Sequence, residues 1–238
     1  MKVAGIIKQS LVDYPGKIAA VLFARGCNFY CPFCHNGHLL IKPGKAGAEY
    51  LDWQEIIELL RERKSFLDAV VVSGGEPCLN PELPQALSQI KELGYTTKLD
   101  TNGSRTAVLA QLVEQSLVDY VAMDIKGVLE YKKYLEACGG RLTNEDFLNV
   151  KGSLYLLQKA EIEVEFRTTV VPPLHKQEDI LAIARHIQGA SRYSLQQFNP
   201  GHTLNPDYSY ITPYTREELQ YMAQECRPYV KEVKVLNT

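Results

Sequence analysis

The chain has 238 residues, 45% of them apolar and 23% charged, with 28 acidic against 26 basic side chains for a net charge of −2. A chain of this length buries a substantial core, and its near-balanced charge argues against a nucleic-acid binder resting on a strong positive field. Its longest apolar runs, such as 18–24, fall far short of the roughly 18 residues a membrane helix needs, so no membrane association is expected.

The N-terminal residues Met-Lys-Val-Ala-Gly-Ile-Ile-Lys lack a small-residue cleavage pattern, which makes the expected location cytoplasmic. A turn on Pro15 and Gly16 leads to a buried strand over 18–24. The stretch 41–50, with Pro43, Gly44 and Gly47, reads as a loop. A helix follows over 52–63, where Asp52 is placed to cap, Glu55 takes the capping-box position, and Ile56, Ile57, Leu59 and Leu60 form one face. Strands at 69–73 and 96–100 enclose a helix over 81–93 that Gly94 stops. Beyond them the pattern predicts helices at 105–115, 144–159, 178–187 and 216–226, with strands at 120–124, 162–170, 193–198 and, last, within 230–236. Strands alternating with helices imply parallel βαβ units. A complete eight-unit barrel typically takes about 250 residues, so six or seven strands fit an open or partial barrel in one domain spanning 1–238.

The chemistry concentrates in Phe23-Ala-Arg-Gly-Cys-Asn-Phe-Tyr-Cys-Pro-Phe-Cys-His-Asn36, directly after the first buried strand. Of six cysteines, Cys27, Cys31 and Cys34 fall within eight residues in the spacing C-x3-C-x2-C, while Cys78, Cys138 and Cys226 are scattered and read as ordinary buried thiols. In a reducing compartment disulfides are disfavoured. Three thiolates hold three irons of a cubane and leave the fourth open to a non-protein ligand. The competing readings are a zinc site completed by His35 or His38, in a zinc-binding interaction module, and a redox pair at Cys31 and Cys34. The first lacks a second paired knuckle, and the second leaves Cys27 without a role.

This motif resembles that of the radical S-adenosylmethionine enzymes, in which an aromatic residue precedes the last cysteine, as Phe33 does here. The resemblance implies a (β/α)6 partial barrel and a 4Fe-4S cluster on Cys27, Cys31 and Cys34, whose open iron chelates S-adenosyl-L-methionine. One electron then cleaves the sulfonium and yields a 5′-deoxyadenosyl radical. The segment Val71-Val-Ser-Gly-Gly-Glu-Pro-Cys78 reads by itself as a Gly-Gly turn; by resemblance Gly74, Gly75 and Glu76 bind the amino group of the cofactor.

Two further strand ends, Leu99-Asp-Thr-Asn-Gly103 and Val121-Ala-Met-Asp-Ile-Lys-Gly127, carry carboxylates that must be paired, coordinated or hydrated. They resemble segments of the glycyl-radical activating enzymes. That resemblance implies that Asp100, Thr101 and Asp124 hold a monovalent cation and that Asp100, Thr101 and Lys126 line the cofactor site. It also implies that Arg167, in the middle of a strand pattern, reaches the cofactor carboxylate. Where the group has a nucleoside-contacting His, this chain has Asn199, with His202 nearby.

The stretch Ser10-Leu-Val-Asp-Tyr-Pro-Gly-Lys-Ile18 is similar to that of the short activases of anaerobic ribonucleotide reductase. The expected activity is generation of a glycyl radical on a partner enzyme, first of all anaerobic ribonucleoside-triphosphate reductase, with flavodoxin or ferredoxin as electron donor. A partial barrel would leave a side gap for the partner's loop. The alternative inside the superfamily is an enzyme acting on a small molecule, such as 7-carboxy-7-deazaguanine synthase.

Overall fold

The computed structural model describes residues 1–40 and 50–236. The loop expected over 41–50 therefore lies, apart from Tyr50, outside the described residues. These residues form eight strands, β1 (Val3–Ser10), β2 (Ala19–Ala24), β3 (Ala69–Gly74), β4 (Thr96–Thr101), β5 (Tyr120–Asp124), β6 (Glu163–Val170), β7 (Arg192–Gln197) and β8 (Glu232–Leu236). The helices are α1 (Trp53–Glu62), α2 (Leu83–Glu92), α3 (Thr106–Glu114), α4 (Tyr131–Ala137), α5 (Asn144–Lys159), α6 (Gln177–His186) and α7 (Arg216–Cys226). No described helix is long and apolar enough to cross a membrane.

The chain groups into two compact units, the first comprising Met1–Cys27, His38–Thr101 and Ala107–Val121, the second Asn28–Gly37, Asn102–Thr106 and Ala122–Thr238. In the first, β2 pairs in parallel with β3, Ala19 opposite Ala69 through Ala24 opposite Gly74, and β3 pairs in parallel with β4. The strand interiors are fully buried because Val21, Leu22, Val70, Val71 and Val72 are apolar without alternation, the pattern of a sheet covered on both faces. Ile56, Leu60 and Ile90 from α1 and α2 pack with Leu22 and Val70 in one core cluster. Asp52 caps α1 by accepting from the N–H groups of Gln54 and Glu55. Gly94, at φ +82°, ends the α2 segment by donating its N–H to the Lys91 carbonyl.

β1 departs from the expectation. It runs antiparallel to β2, with Val3 opposite Ala24, and alternates poorly, most of its residues being half-buried or exposed. An apolar-run criterion passes over such a strand because only Val3 is fully buried.

In the second unit, β6, β7 and β8 are parallel, Glu165 opposite Arg192 and Arg192 opposite Glu232. Their core holds Phe166, Tyr193, Leu195, Ile180, Ile183 and Leu219. A reciprocal capping box, Thr143 with Asp146, starts α5. The seven-residue α4 carries no clear signal in the sequence, since two turns give too short a window for periodicity to register.

Candidate functional site

Within the first unit, the end of β3 lies against the segment that leads from β2 into Cys27. The Gly75 N–H donates to the Ala24 carbonyl at 2.9 Å, and the Glu76 N–H donates to the Gly26 carbonyl at 2.7 Å. A Cβ on Gly74, whose φ is +116°, would sit 2.4 Å from the Ala24 oxygen, and one on Gly75 would sit 2.0 Å from the Gly26 oxygen. Only glycine permits this approach, so the backbone carrying Glu76 is locked to the backbone before Cys27.

Glu76 is buried, and its Oε1 accepts from the Cys78 N–H at 2.9 Å and from the Thr101 hydroxyl at 2.8 Å. The carboxylate thus organises its own turn and fastens it to the end of β4. Asp100 accepts from the Ser73 hydroxyl at 2.9 Å and from the Lys98 ammonium at 2.8 Å. Lys98 was missed in the sequence. It is 2% exposed, shares a strand face with Asp100, and sits 5.5 Å from the centre of the Tyr120 ring. Its signal was a lysine inside an otherwise buried strand, which requires a carboxylate.

The second unit carries Cys31, Phe33, Cys34, Asp124, Lys126 and Arg167. Phe33 is buried, and the Cys34 N–H donates to the Cys31 carbonyl at 3.0 Å, closing a tight turn. Asp124, at the end of β5, receives the Lys126 ammonium and the Arg167 guanidinium, each at 2.9 Å. Burial works to raise the Asp124 pKa, but Arg167 and then Lys126 outweigh it and hold the carboxyl below its ordinary range. Burial likewise works against the Lys126 ammonium, yet Asp124 and Cys31 keep its pKa raised. Two cations about one carboxylate leave net positive charge, and Lys126 acts on both Cys31 and Cys34 to favour their thiolates. For Cys34 burial, followed by repulsion from Cys31, still prevails and raises the thiol, whereas a hydrogen bond from Cys138 lowers Cys31.

Lys126 is held at its backbone. Its N–H donates to the Tyr134 hydroxyl at 3.2 Å, and its carbonyl lies 2.9 Å from Nε2 of the buried His175. His175 Nδ1 accepts the Val171 N–H at 3.0 Å, so the ring proton is on Nε2 and is donated to Lys126. Burial lowers the His175 pKa and keeps this neutral form.

Other polar contacts fix the cysteine loop within the same unit. Asn28 donates to the Ser104 hydroxyl at 2.9 Å and to Asp146 at 3.1 Å, and it accepts from Asn102 at 3.1 Å. The segment after β7 also touches this loop: the Asn205 N–H donates to the Pro32 carbonyl at 2.9 Å, and His35 Nδ1 lies 2.7 Å from the His202 carbonyl. Asn199 is exposed, with its carboxamide accepting from the Gly201 N–H. Cys138 is a buried thiol, as expected, at the end of α4, and its backbone carbonyl accepts the Tyr30 N–H at 3.0 Å beside the cysteine loop.

The donor set, three cysteines spaced C-x3-C-x2-C, is one that suits an iron-sulfur cubane. All six cysteines are free of disulfides. A cubane separates its thiolates by the width of the cluster, and it carries negative charge that Lys126 offsets.

Comparison with known proteins agrees with this chemistry. The model of the Radical SAM superfamily matches residues 21–188. A Methanocaldococcus jannaschii protein assigned by name to the glycyl-radical enzyme activating enzymes is 34% identical over 235 residues, covering 98% of this chain and 95% of that one. The pyruvate formate-lyase-activating enzyme of Clostridium pasteurianum is 29% identical over 237 residues, covering 97% and 92%. Among solved structures, Streptococcus suis SuiB bound to precursor peptide SuiA superposes with a TM-score of 0.68 at 15% identity over 91% of this chain and 48% of SuiB. The chain spans about half the length of SuiB, and that likeness is one of fold: an α/β radical SAM architecture.

Proposed function

The chain belongs to the radical SAM superfamily, in its branch of glycyl-radical enzyme activating enzymes, and we propose that it makes a glycyl radical on a partner enzyme, anaerobic ribonucleoside-triphosphate reductase before others of that class. Cys27, Cys31 and Cys34 hold the 4Fe-4S cluster, with Phe33 beside them. Gly74, Gly75, Glu76, Asp100, Thr101, Lys126 and Arg167 hold S-adenosyl-L-methionine. When bound, these two groups supply one electron and a carbon radical able to abstract a glycine Cα hydrogen.

The observation that most supports this reading is the pairing of free thiols with net positive charge. Cys31 and Cys34 lie in the field of Lys126, whose position is fixed by Tyr134, His175 and Asp124. A cationic group held this firmly offsets the negative charge of metal-bound thiolates and also suits a ligand carboxylate. In the other unit, the Gly74–Gly75 approach leaves backbone polar groups and the Glu76 turn in a fixed arrangement toward a ligand ammonium.

The finer parts of the reading are a cytoplasmic location, flavodoxin or ferredoxin as electron donor, and a monovalent cation at Asp100, Thr101 and Asp124. The cation must compete with the ammonium of Lys98 at Asp100 and with Lys126 and Arg167 at Asp124. Replacing sodium by tetramethylammonium tests it, with slower turnover expected and unchanged turnover counting against it. The whole reading is tested by anaerobic reconstitution. About four irons per chain are expected, lost in Cys27→Ala, Cys31→Ala and Cys34→Ala and kept in Cys226→Ala. Reduced holoenzyme with S-adenosylmethionine and the reductase should then show a glycyl doublet in electron paramagnetic resonance. Zinc bound in place of iron overturns the reading, and turnover of a small molecule without any glycyl signal moves it to the small-substrate branch.

A further inference from the structure

β7 and α7 are joined by residues 198–215, where a βα connection ordinarily takes about 2–6 residues. Pro200, Pro206 and Pro213 restrict this long segment, and the buried Phe198 meets Tyr208 edge-on, with ring centres 6.5 Å apart. Its middle is fastened to the cysteine loop. The Asn205 N–H donates to the Pro32 carbonyl at 2.9 Å, and His35 Nδ1 donates to the His202 carbonyl at 2.7 Å. Leu204 packs so closely on Gly37 that a Cβ there would sit 3.0 Å from Leu204 Cδ1.

The end of the segment reaches Lys126 through two side chains. Gln197 Nε2, at the end of β7, donates to the Tyr214 carbonyl at 2.7 Å, and the Tyr214 hydroxyl donates to the His175 carbonyl at 2.9 Å. His175 is fully buried, and its N–H donates to the Val171 carbonyl at 2.8 Å. Its Nδ1 accepts the Val171 N–H at 3.0 Å, and its Nε2 donates to the Lys126 carbonyl at 2.9 Å. Every hydrogen-bonding group of His175 is thus engaged, and the ring cannot turn without leaving a buried polar group unmet.

We propose that Tyr214 and His175 are positioning residues that set Lys126 for the carboxylate of S-adenosylmethionine, with segment 198–215 as their frame. This rests on the reading that Lys126 holds that cofactor. A lysine ammonium is a point charge on a flexible four-carbon stem, so its aim at one carboxylate depends on where its backbone is fixed. Because the frame is bonded to Pro32 and His35 as well, it sets Lys126 relative to Cys31 and Cys34. The sequence hides both residues, since Tyr214 lies 39 positions from His175 and His175 lies 49 from Lys126.

The test is calorimetry of reconstituted, oxidised holoenzyme with two ligands, S-adenosylmethionine and its decarboxylated analogue, which keeps the sulfonium, the ammonium and the adenosine. Tyr214→Phe retains the ring and removes the hydroxyl. It should weaken S-adenosylmethionine about fivefold, as expected for one hydrogen bond, and leave the analogue at its wild-type affinity. His175→Leu should show the same pattern more strongly, and His175→Gln, whose amide keeps a donor for the Lys126 carbonyl, should recover part of the loss. Calorimetry separates affinity from stoichiometry, so a variant that loads less iron still gives the comparison.

An equal loss for both ligands in Tyr214→Phe means a general loosening and overturns the proposal, as does no loss for either. Should the analogue bind too weakly to measure, a Lys126→Met background replaces it. There Tyr214→Phe should no longer affect S-adenosylmethionine, and an undiminished effect overturns the proposal. Wild-type holoenzyme that binds both ligands equally well overturns the underlying placement of Lys126 instead.

Discussion

Substituting Gly75 by alanine tests the link between the Gly-Gly-Glu-Pro turn and the cysteine loop. The added Cβ would be 2.0 Å from the Gly26 carbonyl oxygen and 2.6 Å from its carbon, both backbone atoms that no rotamer change removes. One of the two segments must move. Overpacking of this kind costs about 1–3 kcal/mol. Moving the segment also breaks the bonds from Gly75 N–H to Ala24 and from Glu76 N–H to Gly26, at about 1 kcal/mol each. The sum is about 3–5 kcal/mol, or about 6–20 °C in melting temperature at this chain length. Gly5→Ala is the control, since its nearest neighbour is Phe23 Cδ2 at 4.0 Å, and it should change stability by no more than about 1 kcal/mol. Circular dichroism melts of cluster-free protein give the stability, and iron analysis after reconstitution gives the effect on the loop, which should lose iron in Gly75→Ala alone. A Gly75→Ala protein that melts within 2 °C of wild type, a margin of about 1 kcal/mol or less, and loads full iron refutes the locking argument.

Glu76→Gln keeps an acceptor for the Cys78 N–H and the Thr101 hydroxyl, so it should fold normally and bind S-adenosylmethionine more weakly by calorimetry; Glu76→Ala should also destabilise the fold by about 1–3 kcal/mol. His175 has its folded pKa lowered by burial, so the unfolded chain binds the extra proton first and stability falls as pH drops below the unfolded value of about 6.5. His175→Asn should flatten the decline in melting temperature between pH 7 and pH 5, and an unchanged slope contradicts the buried neutral form assigned to it. Asp124 behaves in the same direction at lower pH: its folded pKa is depressed, so its contribution is present above about 3.9 and is lost only as pH falls through the lower folded value. Asp124→Asn should therefore remove part of the acid limb of stability while leaving the slope near pH 7 untouched. Asn28→Ala, which removes the anchor from the cysteine loop to Ser104 and Asp146, should slow iron uptake without lowering the final iron content, as followed by absorbance during reconstitution.

What the sequence made legible was local. Three cysteines within eight residues, two adjacent glycines before a glutamate, and carboxylates at strand ends each announce themselves over a few positions, and the strand-helix alternation is carried by apolar runs such as Val70–Val72. Pairings made by tertiary contact stayed hidden. Lys98 is ordinary until Asp100 and Tyr120 are seen around it, and His175 acquires meaning only when the segment after β6 brings it to Lys126. β1 is hidden for a different reason, because a half-exposed strand with Gly5 near its start lacks a buried run. Glu76 illustrates a partial reading: its importance was visible, while its use of Oε1 to hold Cys78 and Thr101 depended on the turn being folded.

The central claim, hydrogen abstraction from a polypeptide glycine, is tested most directly by isotope transfer. The candidate reductase would be expressed with glycine deuterated at Cα and incubated with reduced holoenzyme and S-adenosylmethionine, and the 5′-deoxyadenosine would be analysed by mass spectrometry. One deuterium per 5′-deoxyadenosine, formed in proportion to the glycyl radical, is the predicted result. Unlabelled 5′-deoxyadenosine, with no radical on the reductase, contradicts the account.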